Sequence, residues 1–199
     1  MSVDNDYVRR SLAGLVRMSL HDPQGLRALD LTIEGYFRSF TAIALSAPVY
    51  TFTLLGQLRI AQTLTSRGVA EGKGVSLIAF LAVHAVNFLG ASLLFLALMI
   101  PLSRLLQLQP RYAALTVAYN WGTLLVQCAY LPPVILFAAG LASAADAASL
   151  MLIAMGFTLY FRFATFLMTL ETPWTTALAL ALIDLLLQWV WFTALTRLV

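Results

Sequence analysis

The sequence predicts an all-α polytopic membrane protein, a transmembrane helical bundle of about five spans behind an N-terminal amphipathic helix. Three observations carry this expectation. Of 199 residues, 61% are hydrophobic and 11% charged, with a mean hydropathy of +0.86. A soluble domain holds about 45–50% apolar and about 25% charged residues, so a soluble globular enzyme is excluded. Of the 21 charged residues (12 basic and 9 acidic), ten fall within the first 38 positions. Beyond them run long apolar stretches almost free of charge.

Residues 1–36 form the polar N-terminal segment, expected to be cytoplasmic or interfacial. It has charges throughout and no apolar core of its own, so it does not read as a signal peptide. From Tyr7 to Leu20 the pattern is that of an amphipathic helix. Val8, Leu12, Leu15 and Val16 share one arc, with Arg10 and Arg17 opposite. Asp4 or Asp6 can cap it, and Asp22-Pro23 is the expected stop. A basic amphipathic helix beside a span is expected to lie in the headgroup plane with its apolar arc toward lipid, the alternative being a soluble helix that folds back on the cytoplasmic loops.

Residues 37–199 are the transmembrane domain, with spans expected at about 39–58, 75–100, 112–140, 147–170 and 174–196. Each meets the requirement of roughly 20 apolar residues for ~30 Å of hydrocarbon. The second is expected to stop at Pro101. The charge-free run containing the third holds 34 residues, from 112 to 145. Two crossings need about 40, so one helix, kinked or ended at Pro132-Pro133, is the better reading. Arginine and lysine then set the orientation. With five spans, the N-terminal side has seven basic residues, Arg9, Arg10, Arg17, Arg27, Arg38, Arg104 and Arg111. The other side has four, Arg59, Arg67, Lys73 and Arg197. The N-terminus is expected in the cytoplasm and the C-terminus outside, in a bacterial inner membrane.

Several chemistries find no support. Cys128 is the one cysteine and lies in an apolar run, which leaves no intrachain disulfide and no thiolate metal site. His21 and His84 are too far apart for a helical metal pair, and no metal or cofactor is expected. A pI near 9.3 comes with a net charge of only +3 and no aromatic-laced basic cluster, so no nucleic-acid partner is expected. The run from Gly68 to Gly74 has only three residues between Gly68 and Gly72, and Gly74 stands where a phosphate loop needs Ser or Thr. It reads as a polar turn. Gly90-Ala91-Ser92 is like an intramembrane serine-protease motif, but Leu93 replaces the second glycine and no histidine follows in a later span. No repeat is evident.

What remains is the polar set inside the spans, where ionisable groups are costly and therefore candidates by default. The candidate network is His84, Asn87, Asn120, Arg162, Asp184 and Gln188, with Gln127 also in span three. Counting from the span ends puts His84 roughly 14 Å and Asp184 roughly 15 Å deep, both near the midplane. Spans four and five are joined by the tight turn Glu171-Thr172-Pro173, so they are expected to be antiparallel neighbours. An Arg162–Asp184 pair is then within reach. It would neutralise two charges that each cost at least ~2.5–3.5 kcal/mol at helix centre.

Three passages resemble the Yip-type (Ypt-interacting) five-span membrane family. They are the Pro-containing stretch from Leu20 to Arg27, the middle-span sequence Ala118-Tyr119-Asn120-Trp121 followed by Leu131-Pro132-Pro133, and the terminal pair with Tyr160-Phe161-Arg162. The resemblance implies an integral scaffold or trafficking-type protein without catalytic residues. The acidic Tyr/Pro motifs of the eukaryotic members are absent. The expectation is therefore a non-enzymatic protein whose partners are the lipid bilayer and another membrane protein or a second copy of itself. The alternative is a small transporter or channel component using the buried polar residues.

Overall fold

A computed structural model describes residues 4–66 and 77–197, and among these residues there is no strand. The Gly68–Gly74 turn, with Arg67 and Lys73, and the expected start of span two at Val75 lie outside the described residues. Three short elements come first: α1 (Asn5–Ser19), α2 (Gln24–Arg27) and α3 (Ile33–Ser39). The bundle follows as α4 (Thr41–Ser66), α5 (Leu77–Leu105), α6 (Tyr112–Ala129), α7 (Leu131–Ala138), α8 (Ala144–Leu170) and α9 (Trp174–Thr196). Five segments are long and apolar enough to cross a membrane: Ile33–Ser66, Phe80–Leu105, Gln109–Ala138, Ala144–Leu170 and Trp174–Thr196. The chain is an all-α integral membrane protein.

The boundaries differ from expectation where local chemistry intervenes. α4 runs past Arg59, whose side chain is exposed, so one charge does not end a helix that already has its backbone bonds. α5 continues through Pro101 to Leu105. A proline removes one backbone donor, but only one turn follows it, and Ser103 Oγ bonds back to the Ile100 carbonyl at 3.0 Å. Span three breaks at Tyr130, just before Leu131-Pro132-Pro133, because proline fits the first turn of the new helix α7. α8 begins earlier than expected, at Ala144. Ser143 and Asp146 form a reciprocal capping box that satisfies its first amides.

α6 is the central helix. Every residue from Ala114 to Thr123 is buried, and α4, α8, α3, α1 and α5 pack around it. A helix covered on all sides needs small or well-partnered polar groups, and α6 supplies Ala114, Ala118, Thr116, Asn120 and Thr123. α8 pairs with α9, and α9 with α5, closing the bundle.

The N-terminal helix corrects the sequence reading. Asp4 caps α1 as expected, but its stop is a Schellman turn. Asp22 N–H bonds the Arg17 carbonyl and His21 N–H the Met18 carbonyl, with His21 left-handed at φ 60°. Asp22 then accepts the Gln24 amide at 2.9 Å. The arc expected to face lipid faces protein. Leu15 and Met18 are fully buried against α6 and α8, and Val8 and Leu12 pack on the same cluster. Only Val16 of the predicted arc is exposed. Tyr7 anchors the docking, edge-on to Trp121 at 5.4 Å, and accepts the indole N–H at 3.3 Å. At the other end, the Tyr160 hydroxyl donates to the Ser19 carbonyl at 2.6 Å.

Candidate functional site

Three polar groups of the bundle, Asp184, Arg162 and Tyr119, meet at one level. Asp184 on α9 is 1% exposed, and Arg162 on α8 is 5% exposed. Arg162 Nε lies 3.5 Å from Asp184 Oδ2. The Tyr119 hydroxyl of α6 donates to Asp184 Oδ1 at 2.8 Å. The guanidinium also stacks on the Tyr119 ring, its Cζ 3.7 Å from the centroid. Arg162 Nη1 donates to the Tyr119 carbonyl at 3.2 Å, and Nη2 is 3.4 Å from Thr123 Oγ1. One tyrosine therefore serves both charges, its hydroxyl the anion and its ring face the cation. Tyr119 is held in turn by Phe95 and Phe166, which stack with it and with each other at 5.0–6.4 Å.

The rest of the predicted network divides into separate sites. Asn120 turns the other way and donates to Ser39 Oγ at 2.9 Å, tying α6 to the start of span one. His84 is packed between Phe80 and Phe192, and the Tyr50 hydroxyl sits 3.2 Å from its Nδ1 and donates to its carbonyl at 3.0 Å. Eleven residues separate His84 from Phe95, which stands at the level of Tyr119, so about 16 Å of helix rise lies between them. His84 and Asp184 do not meet. Between the two levels is a partly enclosed cavity of about 60 Å³, lined among others by Tyr50, Asn87, Gln127, Thr158, Arg162 and Gln188. All five spans contribute to its wall, and Asn87 Oδ1 has no protein partner there. Its size suits about two waters at ~30 Å³ each. Neither His84 nor Asp184 is part of the lining.

Arg162 and Asp184 stand eight and ten residues from the N-terminal-side ends of α8 and α9, as counted from the sequence. Arg162 is eight residues from the end of α8 at Leu170 but eighteen from its start at Ala144, about 12 Å against about 27 Å. Phe95 is likewise eighteen residues from the start of α5, about 27 Å. Along α5 and α8 the cluster is off-centre, toward the N-terminal side of the bundle, while Asp184 is near the middle of α9. The sequence arithmetic took the ends of each apolar stretch as the hydrocarbon edges, whereas helices of 27–29 residues are longer than one crossing requires.

Two residues of the site carry no charge and so escaped a search for ionisable groups. Tyr119 and Tyr50 look in sequence like interfacial or core aromatics. The available signal was that Tyr119, Asn120 and Thr123 put three hydrogen-bonding side chains within about one turn of an apolar span. Comparison of the chain with family models, with curated proteins and with solved structures found no match to any of them.

Proposed function

We propose that this chain is a non-enzymatic membrane scaffold, which engages another membrane protein or a second copy of itself through its helix faces. The observation that carries this reading is the packing of Asp184. Its carboxylate is closed in by Arg162 and Tyr119 and stands outside the cavity lining. A proton or ion relay requires titratable groups that exchange with water; of the two best placed, Asp184 is packed against protein, and His84, half-buried between Phe80 and Phe192, stands outside the cavity lining. A neutralised pair between α8 and α9, hydrogen-bonded to α6, instead fixes how these three helices sit together. The scaffold reading agrees with the resemblance to Yip-type proteins, and the balance of basic residues supports a cytoplasmic N-terminus in a bacterial inner membrane.

A second reading, a small transporter or channel component, is favoured by the cavity with its Asn87, Gln127 and Gln188 walls. Flux into sealed liposomes separates the two. With the protein reconstituted and a pH gradient or potential applied, the scaffold reading expects proton and alkali-cation flux equal to that of empty vesicles. Protein-dependent flux that Asp184→Asn abolishes would replace the scaffold reading with transport.

A further inference from the structure

The acids and arginines of the N-terminal segment are not used alike. Asp4 caps α1, Asp22 accepts the Gln24 amide, Asp30 accepts from the Thr32 amide and hydroxyl at 3.1 and 2.7 Å, and Glu34 pairs with Arg38, while Asp6 is exposed in the first turn of α1. Arg9, Arg10, Arg17 and Arg27 are exposed and take part in none of the ion pairs found among the described residues. Three of these are on α1, whose buried arc, Tyr7, Ser11, Gly14, Leu15 and Met18, is consumed by protein. At 100° per residue, Arg9, Arg10 and Arg17 fall on the opposite arc, interleaved with Ala13, Val16 and Leu20 and with one exposed acid, Asp6, which leaves the face net positive by two. Leu20 is 74% exposed. Beside α1, α3 exposes Ile33 (81%) and Phe37 (62%), four residues apart and so on one face.

The level of this surface in the bundle is fixed at both ends of α1, by Tyr7 on Trp121 and by Ser19 on Tyr160. Trp121 and Tyr160 are within two residues of Tyr119 and Arg162, the level from which α5 and α8 extend about 27 Å to their far ends. That is close to the ~30 Å of a hydrocarbon core. α9 is shorter, with twelve residues or about 18 Å beyond Asp184. Exposed arginines outside any ion pair are costly inside hydrocarbon, and with the lengths of α5 and α8 this points to a boundary near the level of α1, although α9 falls short of a full crossing on that placement. An interleaved arginine and apolar face at that level matches the boundary between headgroups and acyl chains.

We propose that the outer face of α1, Arg9, Arg10 and Arg17 with Val16 and Leu20, binds acidic phospholipid headgroups in the leaflet on the N-terminal side, with Ile33 and Phe37 inserted beside it. The helix lies at the interface with its buried arc on protein and its arginine face on lipid. Each arginine near an anionic surface is worth about fivefold in affinity, so the three together amount to on the order of a hundredfold.

The test titrates the purified full-length protein in detergent with short-chain phosphatidylglycerol, phosphatidylcholine or inorganic phosphate, following the thermal midpoint. The expected result is a rise with phosphatidylglycerol alone. The combined variant Arg9→Gln, Arg10→Gln, Arg17→Gln is expected to keep the parent midpoint without lipid and to need about a hundredfold more phosphatidylglycerol for the same rise. Equal responses to the two lipids, or a variant that responds like the parent, would overturn the proposal. A rise of the same size with inorganic phosphate would assign the arginines to a soluble ligand and overturn it as well. Should the triple variant fold poorly, a fluorophore on Ala13→Cys in a Cys128→Ala background gives an independent reading in bilayers. Quenching by headgroup-proximal spin-labelled lipid is expected, and no quenching would refute the placement.

Discussion

Replacing Tyr119 with phenylalanine isolates one strand of the buried cluster. The change deletes the hydroxyl that donates to Asp184 Oδ1 at 2.8 Å and leaves the ring under Arg162, with Cζ at 3.7 Å from its centroid. A hydrogen bond to a charged group contributes about 1.5–3 kcal/mol, while side-chain hydrogen bonds measured inside membranes average ~0.6 and reach ~1.7 kcal/mol. Asp184 retains its ion pair, so the expected loss is about 1.5 kcal/mol, where the two ranges meet. At about 2–4 °C per kcal/mol for a chain of this size, the unfolding midpoint in detergent should fall by roughly 3–6 °C. Tyr119→Leu removes the ring as well. The exposed guanidinium face and the gap beside Phe95 should then cost a further ~2 kcal/mol or more. Thermal unfolding followed by circular dichroism reads both variants. Tyr119→Phe with the parent midpoint, or Tyr119→Leu no worse than Tyr119→Phe, would refute the idea that one tyrosine holds both charges.

Two further outcomes follow from the N-terminal segment. The Thr32 hydroxyl and amide hold the Asp30 carboxyl below its ordinary range, with nearby Arg38 and Arg10 helping and partial burial opposing. Its stabilising contribution is therefore present above about pH 3.9 and lost as pH falls through the lower folded value. Thr32→Val also removes the α3 cap on the Gly35 amide. It should cost about 1 kcal/mol at neutral pH and move the Asp30-linked loss to higher pH, as unfolding scans between pH 5 and 3 would reveal. Separately, a Cβ on Gly25 would run into the Gly14 carbonyl and Met18, because α1 and α2 cross at these two glycines. Gly25→Ala should loosen α1 and speed tryptic cleavage at Arg17 and Arg27. Gly156→Ala, which meets nothing within 4 Å, should leave cleavage unchanged.

The spans were legible because composition and length alone decide what can cross a bilayer. The Arg162–Asp184 approach was legible too, since a tight turn makes two helices antiparallel neighbours, and counts of eight and ten residues from that turn bring the two side chains within reach of each other. Tyr119 was not, because an aromatic in an apolar span looks like core until its partners are known. The docking of α1 was hidden for a related reason. An amphipathic pattern says that Leu15 must leave water, but lipid and protein satisfy it equally. The packing of α1 across Trp121 and Tyr160 is tertiary information that no pattern in one segment carries.

The central claim is that Arg162 and Asp184 form a structural unit, and a double-mutant cycle tests it most directly. Removing one partner of a buried ion pair leaves an uncompensated charge and costs about 3–5 kcal/mol, whereas removing both often costs far less. The cycle compares the thermal midpoints of the parent, Arg162→Gln, Asp184→Asn and the combined variant in one detergent. The account predicts two strongly destabilised single variants and a double variant that recovers much of the loss. Single variants as stable as the parent, or losses that simply add in the double variant, would contradict it.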